Sequence, residues 1–418
     1  MQKLEKRQIG PHCILACLYF LLLPTTIAVN SAGNSILKLA TVPIGLFFAV
    51  TLIFSNRKLE INGVHLSLLV YTLSAISTLF VDASDVSMAY VVGYVLNAAI
   101  YICLTVIPYN KAELELMEKT QILLLIILNA LTLFSNGILD ERTTLMIMGQ
   151  TCDPNDFVGY FVFPLTVALK KLVSDKRSPF YLLLIAVSLY CVYLSGSRGG
   201  FLAIAVTIAG FAVIYPSNNG RRFLFFAGGL VLLVGIWIIT KPLMPENIVE
   251  RMNISSVVES GGSGRTAIWK SMIQTIIKEP DKLLFGRGIK TLHRFVRVRG
   301  WREVVAHNQL LQITYNQGLV GLLSFLMLTG VSFFRCVKGR KTVAIAILGM
   351  MALSISLSFN QTTRTFWNLI AYAAFAFPDS DTNTVNNGGL SDHESAEKNE
   401  DFFQKGVEGL CERNSQQM

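Results

Sequence analysis

The stretch FLFFAGGLVLLVGIWIIT, residues 223–240, follows Arg221 and Arg222 and ends at Lys241. It contains no charge over a length that, as a helix, reaches about 27 Å, close to the roughly 30 Å hydrocarbon core of a bilayer. Read outward, the chain repeats this pattern. Of its 418 residues 52% are hydrophobic and only 15% charged, too few polar side chains to cover one water-soluble globule. Roughly twelve candidate spans follow from length and hydropathy: 11–29, 36–54, 63–81, 86–107, 122–138, 157–172, 180–194, 199–215, 223–240, 310–334, 343–359 and 362–377. The sixth, seventh and twelfth are short. The expected fold is therefore all-α, a polytopic inner-membrane protein. Residues 1–240 are expected to hold spans one to nine, 241–308 one large periplasmic loop with an amphipathic helix, 309–378 spans ten to twelve, and 379–418 a disordered cytoplasmic tail.

Charge sets the expected orientation, because lysine and arginine are retained on the cytoplasmic side during insertion. With a cytoplasmic N-terminus, the inner loops receive Arg57 and Lys58, Lys111 and Lys119, Lys170, Lys171, Lys176 and Arg177, Arg221 and Arg222, then Arg335, Lys338, Arg340 and Lys341. The short outer loops receive only Arg142, Arg198 and Arg364. Both termini are then cytoplasmic. Residues 1–33 also have signal-peptide character, with Lys3, Lys6 and Arg7 before an apolar core and small residues near Ala28. Kept as the first span, they leave every later loop consistent. The net charge of +9 is then mostly a topology signal, and no basic run interleaved with aromatics points to nucleic acid. Of seven cysteines only Cys152 is expected outside, so no disulfide framework is available.

Long loops translocate largely regardless of charge, yet the loop 241–308 carries eleven Lys and Arg from Arg251 to Arg302, a density suited to an anionic substrate. Within it Gly261-Gly262-Ser263-Gly264 precedes Arg265 and a helical pattern of Ile268, Met272, Ile273, Ile276 and Ile277, ended by Glu279-Pro280. Such a helix, with Trp269 beside its stripe, would lie on the membrane surface with an anion-favouring N-terminus at Arg265, or be an ordinary amphipathic loop helix. The other outer loop, 136–156, holds Asp140, Glu141, Asp153 and Asp156 and reads as a short lid or a solvated connection. Asp379-Ser380-Asp381 imitates a metal-binding D-x-D, but in a low-complexity tail on the wrong side.

Arg198 lies in Ser195-Gly196-Ser197-Arg198-Gly199-Gly200, an expected hairpin between spans seven and eight whose glycines would let a ligand approach the backbone. Taken alone it reads equally as an interfacial anchor. His307 opens His307-Asn308-Gln309 where the basic loop re-enters the membrane. With an ordinary pKa of roughly 6.5 it can take and release a proton near neutrality, or simply hold a neighbour by a hydrogen bond. Metal ligation is not expected, since the outer face offers only His293 as a second histidine.

Arg198 with Leu202 four residues on, Arg265 ahead of Trp269, and His307-Asn308 followed by Gly318 and Gly321 together resemble the signature of the bacterial O-antigen ligase and polymerase family. The resemblance implies a membrane glycosyltransferase that takes a glycan from undecaprenyl pyrophosphate at the periplasmic face and joins it to an acceptor hydroxyl, with no cofactor, nucleotide or metal. It assigns Arg198 and Arg265 to the pyrophosphate, where planar guanidinium forks make paired, charge-assisted bonds. His307 becomes the general base, a role contributing roughly 10² to 10⁴-fold. Asn308, Arg287 and Arg302 are further possible substrate contacts, with Arg294, Arg297 and Arg299 weaker ones. A ligase uses the lipid A core as acceptor and a polymerase a second lipid-linked glycan. The spacing from His307 to Gly321 favours the ligase, whereas Arg251 with Gly262 fits a polymerase pattern. A polysaccharide transporter or flippase would call for paired repeats and ionisable residues near the midplane, and the sequence shows neither.

Overall fold

A computed structural model describes residues 9–28, 35–54, 59–174, 178–216, 219–253, 265–289, 305–356 and 364–375. The tail 379–418, with Asp379 and Asp381, lies outside them. The described chain is almost entirely helical: α1 (Pro11–Leu21), α2 (Ile36–Phe54), α3 (Gly63–Ser77), α4 (Asp85–Thr105), α5 (Lys111–Phe134), α6 (Pro154–Ser174) and α7 (Ser178–Leu194) are followed by α8 (Arg198–Ile214), α9 (Asn219–Thr240), α10 (Glu246–Arg251), α11 (Arg265–Lys278), α12 (Gln309–Gly339), α13 (Lys341–Ser354) and α14 (Arg364–Ala374).

Among the described residues seven helices are long and apolar enough to cross a membrane, namely α2, α3 with its 3-10 extension, α4, α5, α6, α9 with its extension, and α12. At the other five expected positions the helices run 11 to 17 residues, so length alone supports fewer than twelve spans. The first expected span stops early because Pro24, which lacks an N–H, falls in a 3-10 turn at Leu23–Thr26. Helix α13 is buried along most of its length and α14 along nearly all of it. Protein rather than lipid surrounds them, which weakens hydropathy length as a guide. The sixth span, expected to be short, is 21 residues long. Its polar first turn, Asn155 and Asp156, and its Lys170, bonded to Glu118 at 2.5 Å, are helical although they carry no hydropathy signal. Helix α5 likewise begins at Lys111 rather than near 122. Asn110 and Glu113 form a capping box there, and buried Glu113 also accepts from Gly10 N at 2.9 Å and lies 3.3 Å from His12 Nε2.

Helices α6, α8 and α13 form the close-packed centre. A Cβ on Gly349 of α13 would collide with Thr207 of α8, so only glycine permits this approach. The quoted stretch, in α9, stays at the periphery with Phe223, Leu224, Val231, Ile238 and Ile239 exposed.

Two departures from regular helix position the site. Residues 136–156 are not a solvated connection. They fold as two small antiparallel hairpins, β1 (Ile138–Leu139) with β2 (Arg142–Thr143) and β3 (Met146–Ile147) with β4 (Gln150–Thr151). The turns at Asp140-Glu141 and Met148-Gly149 put both central residues at positive φ, the geometry that suits a two-residue hairpin. Thr144 and Leu145 are fully buried and Cys152 is 7% exposed, so the loop packs into the protein. The second departure is in α12, which breaks at Gly318 (φ 67°, ψ −162°). The backbone groups freed there are bonded by the preceding loop: Leu319 N and Val320 N donate to Leu283 O and Leu284 O, and Arg287 N and Gly288 N donate to Tyr315 O and Asn316 O, at 2.9–3.1 Å. Non-helical backbone inside a membrane protein is tolerated where protein supplies such partners. The first part of α12, residues 309–317, is thereby fastened to the segment that follows α11.

Candidate functional site

Arg198 is the first residue of α8 rather than part of a free hairpin. Ser197 caps that helix, its Oγ accepting from Gly200 N at 3.1 Å and donating to Asn155 Oδ1 at 2.8 Å. Asn155 in turn donates from Nδ2 to Asp153 Oδ1 at 2.8 Å. The glycines around Arg198 make no room for a ligand. A Cβ on Gly199 would strike Ser356 and one on Gly200 would strike Val158, so neighbouring protein fills the space. The approach also explains Gly196 (φ 56°), where a Cβ would lie 3.1 Å from Ile248, 3.3 Å from Arg251 and 3.5 Å from Arg142.

Arg198 Nε donates to Arg251 O at 2.8 Å, and Arg251 Nε donates to Gly196 O at 3.2 Å. Arg265 is the first residue of α11, and the glycine run 261–264 before it lies outside the described residues. Burial is the main cause that lowers the Arg265 pKa; Asp153 opposes it, while the charges of Arg251, Arg142 and Arg198 add to it. The two guanidiniums singled out from the sequence are thus close enough to feel one another. Each sits at a helix N-terminus, where the partial positive charge of free N–H groups disfavours a cation by roughly 0.3–1 kcal/mol.

The apolar stripe of α11 is divided. Ile268 and Met272 are buried against Ala306 and Tyr315, whereas Ile273 and Ile277 are 47% and 71% exposed. Trp269 Nε1 donates to Ala306 O at 2.7 Å, tying α11 to the residue before His307. His307 has φ 47°, uncommon for a residue with a Cβ, and its Nδ1 is buried without a hydrogen-bond partner among the described residues. Burial, then the Arg265 charge, push its pKa below the usual 6.5, and Asp153 opposes them. At neutral pH the imidazole is a free base. Asp153 therefore lies within electrostatic reach of both Arg265 and His307, and Arg265 within reach of both Arg198 and His307.

Asn308 caps α12, its Oδ1 accepting from Leu311 N at 3.0 Å. Arg287 is 3% exposed and committed to the protein's own groups. It donates to Thr275 O at 2.8 Å and Glu279 Oε2 at 3.2 Å, and covers the Tyr315 ring at 5.1 Å. That makes it a staple between α11 and α12 rather than an open contact for substrate. Arg302, Arg294, Arg297, Arg299 and His293 lie outside the described residues. Among the described residues no group of three or more His, Cys, Asp or Glu is arranged to hold a metal ion.

Two members of the cluster had no place at the site from sequence, Arg251 having been noted only for its spacing to Gly262. Arg142, 6% exposed, reaches it from β2, and burial followed by the Arg251 charge lowers its pKa against Asp153 and Asp140. Arg251 closes α10, a six-residue helix too short to show periodicity. The one available signal for Arg142 was a lone arginine in a loop of carboxylates.

No curated protein matches the chain. Residues 183–326, from α7 to the middle of α12, match the family model described as O-antigen ligase. That segment contains Arg198, Arg251, Arg265 and His307 but neither Arg142 nor Asp153. The clustered guanidiniums and imidazole thus lie inside a segment, about a third of this helical chain, that is similar to the O-antigen ligase family.

Proposed function

We propose that this protein is an O-antigen ligase, moving a glycan from undecaprenyl pyrophosphate to a hydroxyl of the lipid A core at the periplasmic face of the bacterial inner membrane. The observation that carries the reading is that Arg265 lies within electrostatic reach of both Arg198 and His307, three residues from separate segments, with Asp153 acting on Arg265 and His307. The acceptor oxygen attacks the anomeric carbon of the donor. Its proton passes to the free-base imidazole of His307, and the bond from the anomeric carbon to the pyrophosphate oxygen breaks with its electron pair going to the diphosphate. Arg198 and Arg265 stabilise the charge that develops there, at sites preorganised by the Ser197 cap, the Arg251 clasp and the Trp269 tether. Neither cation needs to move far as the bond breaks, so little reorganisation accompanies the step.

The polymerase alternative uses the same donor chemistry with a second lipid-linked glycan as acceptor. Supplying purified protein with lipid-linked glycan and either lipid A core or no core separates them. A ligase yields core-linked glycan only when core is present, whereas a polymerase lengthens the lipid-linked glycan without it. In cells, loss of a ligase leaves long glycan on its lipid carrier and loss of a polymerase leaves single repeats on the core. No transfer in either mixture would count against both readings.

A further inference from the structure

Residues 136–156 contribute a cation that the chemistry above does not use. The tight turn at Asp140-Glu141 returns the chain so that Arg142 opens β2 with its side chain turned into the protein. Its Nε and Nη1 are buried and have no hydrogen-bond partner among the described residues. Arg287, the other buried arginine of this region, leaves only Nη1 unmatched and bonds Glu279 and Thr275 O through Nε and Nη2, whereas Arg142 leaves both Nε and Nη1 unmatched. Leaving charged donors buried and unmatched is costly, and such groups are rare unless a ligand or water completes them.

The surroundings define that ligand. Arg142 interacts electrostatically with Arg251 and Arg265, while Asp153 and Asp140 are the anions that act on it. Asp153 also serves Arg265 and His307, and its Oδ1 accepts two bonds from Asn155. Arg142 thus faces the like charges of Arg251 and Arg265 with Nε and Nη1 unmatched among the described residues, and the partner that suits two parallel guanidinium donors is a compact anion with several acceptor oxygens. We propose that Arg142 is a further donor-binding residue, its Nε and Nη1 donating to the lipid-linked diphosphate alongside Arg198 and Arg265. The inference rests on the transfer reading, and it gives the hairpins of 136–156 a role: they carry a guanidinium to the site from outside the segment matched to the family.

Inorganic pyrophosphate is the probe. Its affinity for the purified full-length protein is measured by calorimetry for wild type, Arg142→Met and Arg142→Lys, with melting temperatures of the ligand-free proteins recorded. Charge-assisted bonds of this kind predict that Arg142→Met binds pyrophosphate about ten- to a hundredfold more weakly and raises the donor KM more than it lowers kcat. Arg142→Lys should be intermediate, keeping the charge but losing the planar fork. If Arg142→Met does not fold, Arg142→Lys carries the same comparison. Affinity equal to wild type in the folded variants overturns the inference, as does a wild-type protein that binds no pyrophosphate. Transfer by His307→Ala judges the underlying reading separately: loss of transfer there, with unchanged pyrophosphate binding in the Arg142 variants, removes Arg142 from the site and leaves the reading standing.

Discussion

Arg198 and Arg251 hold each other through main-chain oxygens: Arg198 Nε donates to Arg251 O at 2.8 Å, and Arg251 Nε donates to Gly196 O, two residues before Arg198, at 3.2 Å. Two like charges are kept side by side by bonds that do not neutralise either. Arg251→Ala keeps the main-chain oxygen that Arg198 bonds but removes the return bond to Gly196 O, so it should loosen the turn that carries Arg198 and raise the donor KM by up to roughly tenfold. Steady-state kinetics on lipid-linked donor checks this. An unchanged KM would show that Arg198 is positioned without the clasp.

His307→Ala should lower kcat by roughly 10² to 10⁴-fold. The accompanying pH dependence has a fixed sign. Burial and the Arg265 charge hold the imidazole pKa below 6.5 in the free protein, so the base is present at neutral pH and lost as pH falls through that depressed value. The kcat/KM profile should be flat near neutrality with an acid limb below pH 6.5. Asp153 raises the His307 pKa, so Asp153→Asn should move the limb to lower pH. A limb that stays in place in the Asp153 variant, or lies above pH 7, would contradict this assignment.

Gly318→Ala should be strongly destabilising. At φ 67° and ψ −162° a residue with a Cβ is strained by about 1–3 kcal/mol, and that Cβ would also collide with Leu284 O in the strand-like pairing that closes the helix break. Gly330→Ala in the same helix meets nothing within 4 Å among the described residues and should be tolerated. Thermal unfolding in detergent compares the pair, and similar melting temperatures would argue against the break.

Arg287→Met separates a staple from a substrate contact. Loss of its bonds to Thr275 O and Glu279 should cost on the order of 3 kcal/mol of stability. The donor KM of the folded fraction should change little. A large KM effect with unchanged stability would return Arg287 to the binding site.

The helical membrane architecture was legible because lipid demands long apolar helices, and the Phe223–Thr240 stretch states that demand without ambiguity. Arg198, Arg265 and His307 enter as candidates through the family resemblance, since charge and spacing alone leave each with an ordinary alternative. What stayed hidden depends on tertiary proximity. Arg142 and Arg251 lie 109 positions apart in the chain, and strands of two residues show no alternation to mark the hairpins. Gly318 belonged to the quoted signature, but its reason is visible only when residues 283–288 are seen bonding to the broken helix. The glycines beside Arg198 were misread as ligand space because their neighbours, Val158 and Ser356, come from distant segments.

The central claim is that Arg265 and His307 act as one unit on a lipid-linked glycan. Transfer by purified Arg265→Ala, His307→Ala and the double variant, each shown to be folded, tests it most directly. Groups acting on the same step should be far from additive, so the double variant should lose little more than the worse single one. Full transfer by either single variant would contradict the account.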